Sequence, residues 1–372
     1  NATTYTCLLF LDAQPHESFH IAKVTDLAAW RRDRSVTEGD LPATTATSTA
    51  WNFTVGDGAA LFEKLSKMPV KLGDVADIFV GLQTSADKVY VLRLLGQHGG
   101  VTRAYSRALD EEVELESSIL HPLLKGSDIV RYTTPPLRNV VLFPYEVSDN
   151  KASGLSETQL HHSYPRAHEY LCRNKALLLD RSEVDSNSWW LFPYPKNLTL
   201  YQRPKILSQV LSTHGNFTTD FDGTFYFLGG GTAGGQAVSP RNRDPAKMTF
   251  ITGILNSRVT QYYVEHTASG FRNGYYVYAK SSLRSLPLPD LNLGLAPDRA
   301  MYDEMVRLVD QMLTLHHQLA ASGTDREKSG LQLQIAALDR AIDSLVFRLY
   351  ELSAKEEEIL KGMNPGQGGH DD

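Results

Sequence analysis

The sequence has 372 residues, 42% hydrophobic and 22% charged, which is ordinary for a globular protein with room for two or three structural units. No apolar run approaches the ~18 residues of a membrane-spanning helix, and no signal peptide is apparent. The two distant cysteines, Cys7 and Cys172, exclude a disulfide framework or a cysteine-ligated structural zinc, and are expected to be reduced thiols in the cytoplasm. The net charge of −6 is unevenly spread. Residues 121–295 hold 18 Lys and Arg against 13 Asp and Glu, residues 1–120 hold 11 against 16, and residues 296–372 hold 8 against 14. A basic middle between acidic ends permits contact with a polyanion without requiring it.

In chain order, residues 1–30 read as two or three strands, including 5–11 and 18–24, and a polar, Thr-, Ala- and Ser-rich run over 31–50 reads as a linker. The chain opens on Asn1 directly in a strand-like segment, as a piece of a longer polypeptide would. From Trp51 to about Leu295 the pattern is of short strands and turns, with strands expected over 75–80, 88–94, 140–143, 205–210 and 224–228. Phe271-Arg272, Asn273-Gly274 and Tyr275-Tyr276-Val277-Tyr278 spell a β-hairpin, because Asn-Gly supplies the positive φ angles of a type I′ turn. Leu286-Pro287-Leu288-Pro289 is a stiff connector. Beyond it, Met301, Met305, Leu308, Met312, Leu315 and Leu319 recur at alternating spacings of 4 and 3, and so do Leu331, Ile335, Leu338, Ile342, Leu345, Leu349 and Leu352. Two seams of that period mean two long helices side by side. The short break at Ala321-Ser322-Gly323-Thr324 makes them antiparallel, and Ser353 with Glu356 spells the capping box of a short third helix. The expected class is α+β: a short-stranded mixed β domain over 51–295, then an antiparallel α-helical hairpin with its terminal helix over 296–363, and a flexible tail over 364–372.

Catalytic signatures are missing. Gly229-Gly230-Gly231-Thr232-Ala233-Gly234 satisfies G-x-G-x-x-G, but a nucleotide or S-adenosylmethionine site needs a helix opening at the last glycine. The continuation Gln236-Ala237-Val238-Ser239-Pro240 does not read as helical, so a turning loop is expected. No His-Glu-x-x-His, nucleophile elbow, P-loop or paired-carboxylate pattern occurs, and His161, His162 and His168 are expected to be a surface cluster. The middle block instead interleaves basic and polar residues with aromatics: Arg203-Pro204-Lys205 enters a strand, Phe225-Tyr226-Phe227 precedes the glycines, and Arg272-Asn273 sits at the hairpin turn. Arg and Asn pair with guanine and adenine edges, whereas Lys and Arg neutralise phosphates.

A series of motifs in fixed order is more specific. Val80-Gly81-Leu82-Gln83-Thr84-Ser85-Ala86-Asp87-Lys88-Val89-Tyr90 resembles the opening strand-turn-strand of the C-terminal specificity domain of TaqI-like and Eco57I-like adenine methyltransferases. Leu123-Leu124-Lys125-Gly126-Ser127-Asp128-Ile129-Val130-Arg131-Tyr132, Tyr201-Gln202-Arg203-Pro204-Lys205-Ile206-Leu207, Gly253-Ile254-Leu255-Asn256-Ser257 and the stretch ending Leu286-Pro287-Leu288-Pro289 resemble the segments that follow. Ala341-Ile342-Asp343 through Leu352-Ser353 is similar to the terminal helix, and residues 2–11 look like the last strands of the methyltransferase domain.

The resemblance implies an N6-adenine DNA methyltransferase of a restriction-modification system, whose N-terminal domain binds S-adenosylmethionine and flips the base. Residues 1–50 would be the end of that domain plus a linker, and this chain would read duplex DNA beside its own catalytic domain, with no membrane partner. Adenine N6-methylation needs an Asn/Asp-Pro-Pro-aromatic motif. The nearest string, Thr134-Pro135-Pro136-Leu137, lacks both the acceptor and the ring, so no catalysis, cofactor or metal is expected within the chain. Under this reading Lys125, Arg131, Arg203, Lys205 and Lys280 grip phosphates, and Gln83, Arg272 and Asn273 read bases. Two other readings stay open. One is the specificity subunit of a multisubunit restriction system, although the usual second recognition domain is not seen. The other is a helical interaction scaffold that does not bind DNA.

Overall fold

The computed structural model describes residues 7–24, 26–46, 53–56, 58–231, 233–268, 270–271 and 274–362. Successive side chains of a strand face opposite ways, and in the middle of this chain both directions are apolar. Strands Phe217–Asp220, Lys205–Gln209, Gly235–Pro240 and Ala76–Val80 form an antiparallel four-stranded sheet in that order. Its paired residues Leu207, Ala237 and Phe79 enter one hydrophobic core, and the alternate set Ile206, Val238 and Ile78 enters another. The sheet is the wall between two cores, which is why Gly235–Pro240 is buried at every position.

The first core lies against a six-stranded sheet in the order Tyr226–Phe227, Leu120–Leu124, Asn139–Leu142, Val91–His98, Val101–Ser106 and Glu111–Glu116. Only the first pair is parallel. Helices Glu157–Ser163, Pro165–Arg173 and Lys175–Leu179 pack against it through Leu160, Ala167, Tyr170, Leu171 and Leu178. Tyr170 keeps its buried hydroxyl satisfied by donating to the Val89 carbonyl at 2.7 Å. The outermost strand is acidic, and Arg166–Glu114 and Arg173–Glu111 ion pairs, each 2.6 Å, tie it to the middle helix. Charge on such an edge blocks pairing with another chain.

The second core is helical. Asp244 accepts from the Ala246 amide and Pro245 takes the first helical position, which starts helix Pro245–Leu255. Ser257 caps helix Arg258–Thr267. A side chain at Gly253 would begin 2.5 Å from Met305 Sδ, so glycine here lets the first of the long helices approach. Those helices are Ala296–Ala321 and Asp325–Leu349, followed by Ala354–Gly362 with the expected Ser353–Glu356 capping box. The heptad seams divide into two zones. Met305, Leu308, Met312, Ile342, Leu345 and Leu349 are buried within the second core, whereas Leu315, Leu319, Leu331, Ile335 and Leu338 are only half-buried where the hairpin projects. A boundary drawn at residue 296 therefore cuts through a shared core.

Other expectations are corrected. Residues 31–46 are structured: helix Leu27–Asp33 is capped by Asp26, and strand Thr37–Pro42 pairs antiparallel with Ser18–Lys23. The polar composition of this stretch reflects that none of its described residues is buried, not the lack of structure. No strand forms over residues 7–11, where Leu8, Leu9, Phe10 and Leu11 are exposed; residues 5 and 6 lie outside the described residues. The strand expected over 88–94 starts later, as Val91–His98, after a helical turn at Asp87–Tyr90. No helix among the described residues is long and apolar enough to cross a membrane.

Candidate nucleic-acid interface

Three connections emerge where strands Ala76–Val80 and Lys205–Gln209 end and Gly235–Pro240 begins, and backbone hydrogen bonds knit them together. Leu82 N donates to Phe227 O and Gly229 N to Leu82 O, each at 2.8 Å, while Leu228 N donates to Leu124 O at 3.0 Å. Close approach explains two glycines. A Cβ at Gly81 would lie 2.3 Å from the Leu228 carbonyl carbon, and one at Gly126 would lie 2.6 Å from Ala233 O. The loop is then stitched sideways: Val210 N donates to Gly234 O, and Tyr278 N to Val210 O. Strand Leu211–Ser212 pairs with Tyr275–Val277, which pairs with Gly270–Phe271.

Gln83, Lys125, the glycine loop and the hairpin strands thus share one surface. Gln83 and Lys125 are exposed, as is Tyr275. Gly230 and Gly231 have φ of 108° and 55°, with open space where side chains would start. A ligand can come against that backbone more closely than against any residue with a side chain. The segment after the glycines is the strand Gly235–Pro240, so no helix opens at the last glycine. The hairpin is present, with Gly274 at φ 72°, but Phe271 is paired with Tyr275. Three residues therefore separate the strands, against the two of a type I′ turn. Arg272 and Asn273 lie outside the described residues.

The remaining sequence-derived cations are placed differently. Lys205 is fully buried, and its Nζ donates to Asp220 Oδ2 and Tyr201 O at 2.6 Å each. Burial lowers its pKa, and the Asp220 carboxylate opposes that shift. A lysine enclosed in this way cannot reach a phosphate, which corrects its assignment. Arg131 is half-buried, with Nη1 and Nη2 donating to Asp339 at 2.8 and 2.6 Å and Nη2 donating to Asn256 O at 2.6 Å. That fork fastens the mixed β region to the second long helix, so phosphate gripping is not its role here. Arg203 faces Asp77 at 3.6 Å and Asn150 at 3.2 Å. Lys280 is exposed on the short helix Lys280–Arg284, beside the outer strand Ala76–Val80.

The ordered motifs prove to be mostly joinery. Thr84 is buried, accepting from the Ala86 amide at 3.1 Å while its carbonyl accepts from Arg181 Nη1 at 3.1 Å. Tyr201 donates to Val80 O at 3.0 Å. Asn256 pairs both ways with the Phe217 backbone, each bond 3.0 Å, and Asp343 accepts from Arg258 N at 2.9 Å. Sequence reasoning did not see the loop 229–234 as the join of the surface, although Gly81 and Gly126 were the signal: each removes a Cβ where two backbones meet.

Two hydrophobic cores, a surface stitched together by backbone hydrogen bonds at glycines, and a pair of long helices are the features that any comparison has to match. Residues 121–288 match the model of the TaqI-like C-terminal specificity domain. The chain is similar to the type II restriction enzyme and methyltransferase RM.Eco57I of Escherichia coli, 23% identical over 96% of this chain and 37% of the relative. It is also similar to the type II methyltransferase M.BstVI of Geobacillus stearothermophilus, 23% identical over 76% of this chain and 40% of the relative. A third relative is the type II methyltransferase M.BanIII of Aneurinibacillus aneurinilyticus, 23% identical over 64% and 38%. The chain spans about two fifths of the length of these curated relatives.

Proposed function

We propose that this chain recognises a specific duplex DNA sequence for an N6-adenine DNA methyltransferase of a restriction-modification system. The observation that supports this reading is that exposed Gln83 and Lys125 lie on connections hydrogen-bonded to the glycine loop, which is joined in turn to the strand pair Gly270–Phe271 and Tyr275–Val277, mostly within the stretch that matches the specificity domain. Its donors and acceptors suit DNA recognition, because an amide can pair with adenine in the major groove and a lysine can neutralise a phosphate. The bare glycine backbone lets a groove wall approach. S-adenosylmethionine binding and methyl transfer belong, in this proposal, to sequence the relatives carry outside the matched stretch.

The test is equilibrium binding of the chain to a library of duplexes at several salt concentrations. Gln83→Ala and Arg272→Ala are expected to change which duplexes are preferred. Lys125→Gln should weaken binding to all duplexes alike and reduce the slope of log affinity against log salt by about 1. Preference and slope unchanged in all three variants would remove the surface from the recognition role. Affinity for duplex no greater than for an acidic control polymer would favour the interaction-scaffold reading.

A further inference from the structure

We infer that a second, preformed site for a phosphate group lies beside the outer strand of the four-stranded sheet, in a cavity walled by Arg241, Lys280 and Arg284. It rests on the DNA-recognition reading above, and the phosphate is that of a duplex backbone.

Strand Ala76–Val80 is the last in its sheet, so one of its edges has no strand partner there. The turn Leu72–Val75 and the short helix Lys280–Arg284 are drawn up beside it, held by Leu72 N donating to Leu286 O at 2.9 Å. Gly73 makes that approach possible, because a Cβ there would lie 3.1 Å from Arg284 O and 3.2 Å from Arg284 Cβ. Between these parts lies a cavity of about 320 Å³ whose lining includes Gly73, Asp77, Asn197, Arg241, Lys280 and Arg284 together with Ala76, Ile78 and Phe79 of the strand. That is the lower end of the ~300–1,000 Å³ of small-molecule pockets, enough for a phosphodiester and part of its sugar.

The charge in the cavity is not balanced. Asp77 is its carboxylate, and it faces two guanidiniums, Arg241 at 3.3 Å and Arg203 at 3.6 Å. Arg241 is also pinned at the rim, donating to Asp74 O at 2.5 Å and Gly73 O at 3.1 Å. Lys280 and Arg284 are exposed, and among the described residues no carboxylate lies within 4 Å of either. The cavity therefore presents two uncompensated cations, with Asn197 also in its lining. This is the chemistry of a phosphate clamp.

The cavity lies within a short stretch of duplex of the recognition surface. Asp77 and Gln83 are six residues apart in the chain, a separation of at most about 20 Å. That corresponds to about six base pairs at 3.4 Å each.

The experiment compares the wild-type chain with the double variant Lys280→Gln/Arg284→Gln, using duplexes in which single phosphates are replaced by neutral methylphosphonates. Both residues are exposed, so unfolding midpoints should match and the comparison reads binding alone. The expected result is a salt slope shallower by about 2 in the variant with unchanged sequence preference. Methylphosphonate at one or two positions should weaken the wild type several-fold and leave the variant indifferent. Equal slopes and equal methylphosphonate sensitivity, with duplex binding intact, would overturn the clamp and leave DNA recognition standing. Binding of inorganic phosphate that Lys280→Gln/Arg284→Gln abolishes, without any methylphosphonate effect, would make this a free-phosphate site and overturn its assignment to the duplex. No duplex binding by the wild type would overturn both readings.

Discussion

Lys205 and Lys125 each sit at the end of a strand, and both were assigned to phosphate from the sequence, yet the two regions use them in opposite ways. Where strand Lys205–Gln209 begins, the lysine is enclosed, its charge is met by Asp220, and Asp220 is itself held by the Thr224 and Phe225 amides at 2.9 Å. Where strand Leu120–Leu124 ends, Lys125 stands exposed beside the glycine loop, and its backbone is what is engaged, the N–H donating to the Asp128 carboxylate at 2.8 Å and the carbonyl accepting from the Asp128 amide at 3.0 Å. A basic residue in a DNA-binding candidate is available to a phosphate only if the fold has not already given it a carboxylate. Lys205 and Arg131 have been spent in this way, whereas Lys125, Lys280 and Arg284 have not.

The largest expected effect breaks the enclosed end. Lys205→Met leaves the Asp220 carboxylate buried without its cation and should lower unfolding free energy by about 3–5 kcal/mol, read from urea denaturation. A loss below about 1 kcal/mol would show that Asp220 is solvated and that the two ends do not differ as described.

A middle effect probes the strand that leads to Lys125. His121 stacks on Tyr226 at 4.4 Å between centroids, and burial pushes its pKa down to about 4. The folded state thus keeps the imidazole neutral while the unfolded chain takes up a proton below its ordinary value of 6.5. The stability that His121 confers should be complete above pH 6.5 and fall as the pH drops toward 4, by at most about 3 kcal/mol. His121→Phe should flatten that part of the profile. A variant whose stability changes between neutral and acid pH as much as the wild type's would discard the assignment.

The smallest effect on stability belongs to the exposed end. Lys125→Gln should change unfolding free energy by no more than about 0.5 kcal/mol, even as it flattens the salt dependence of duplex binding. A larger destabilisation would mean that Lys125, too, holds the fold together.

Much of the fold was legible in the sequence because periodicity survives where one side of an element is buried. The seams from Met301 to Leu319 and from Leu331 to Leu352 announced the hairpin, and Ser353 with Glu356 announced the third helix. Helix Pro245–Leu255 was not seen, because it is buried at every position from Met248 to Leu255 and so shows no polar face. Its end signals, Asp244-Pro245 and Asn256-Ser257, were the available clue. The surface is legible in part: Gln83 and Lys125 stand in motifs, while Arg241 and Arg284 are ordinary basic residues of the sequence until the cavity gathers them.

By itself the sequence determined the α+β class, the paired helices and the ordered motifs that mark a specificity domain. Periodicity, caps and glycines at close approaches are local properties that a chain displays without folding. Which cations are free was decided by tertiary structure alone. Arg131 meets Asp339 across 208 residues of sequence, and Lys205 meets Asp220 across 15. The availability of a charge depends on what the fold places beside it, and no local pattern in the chain records that.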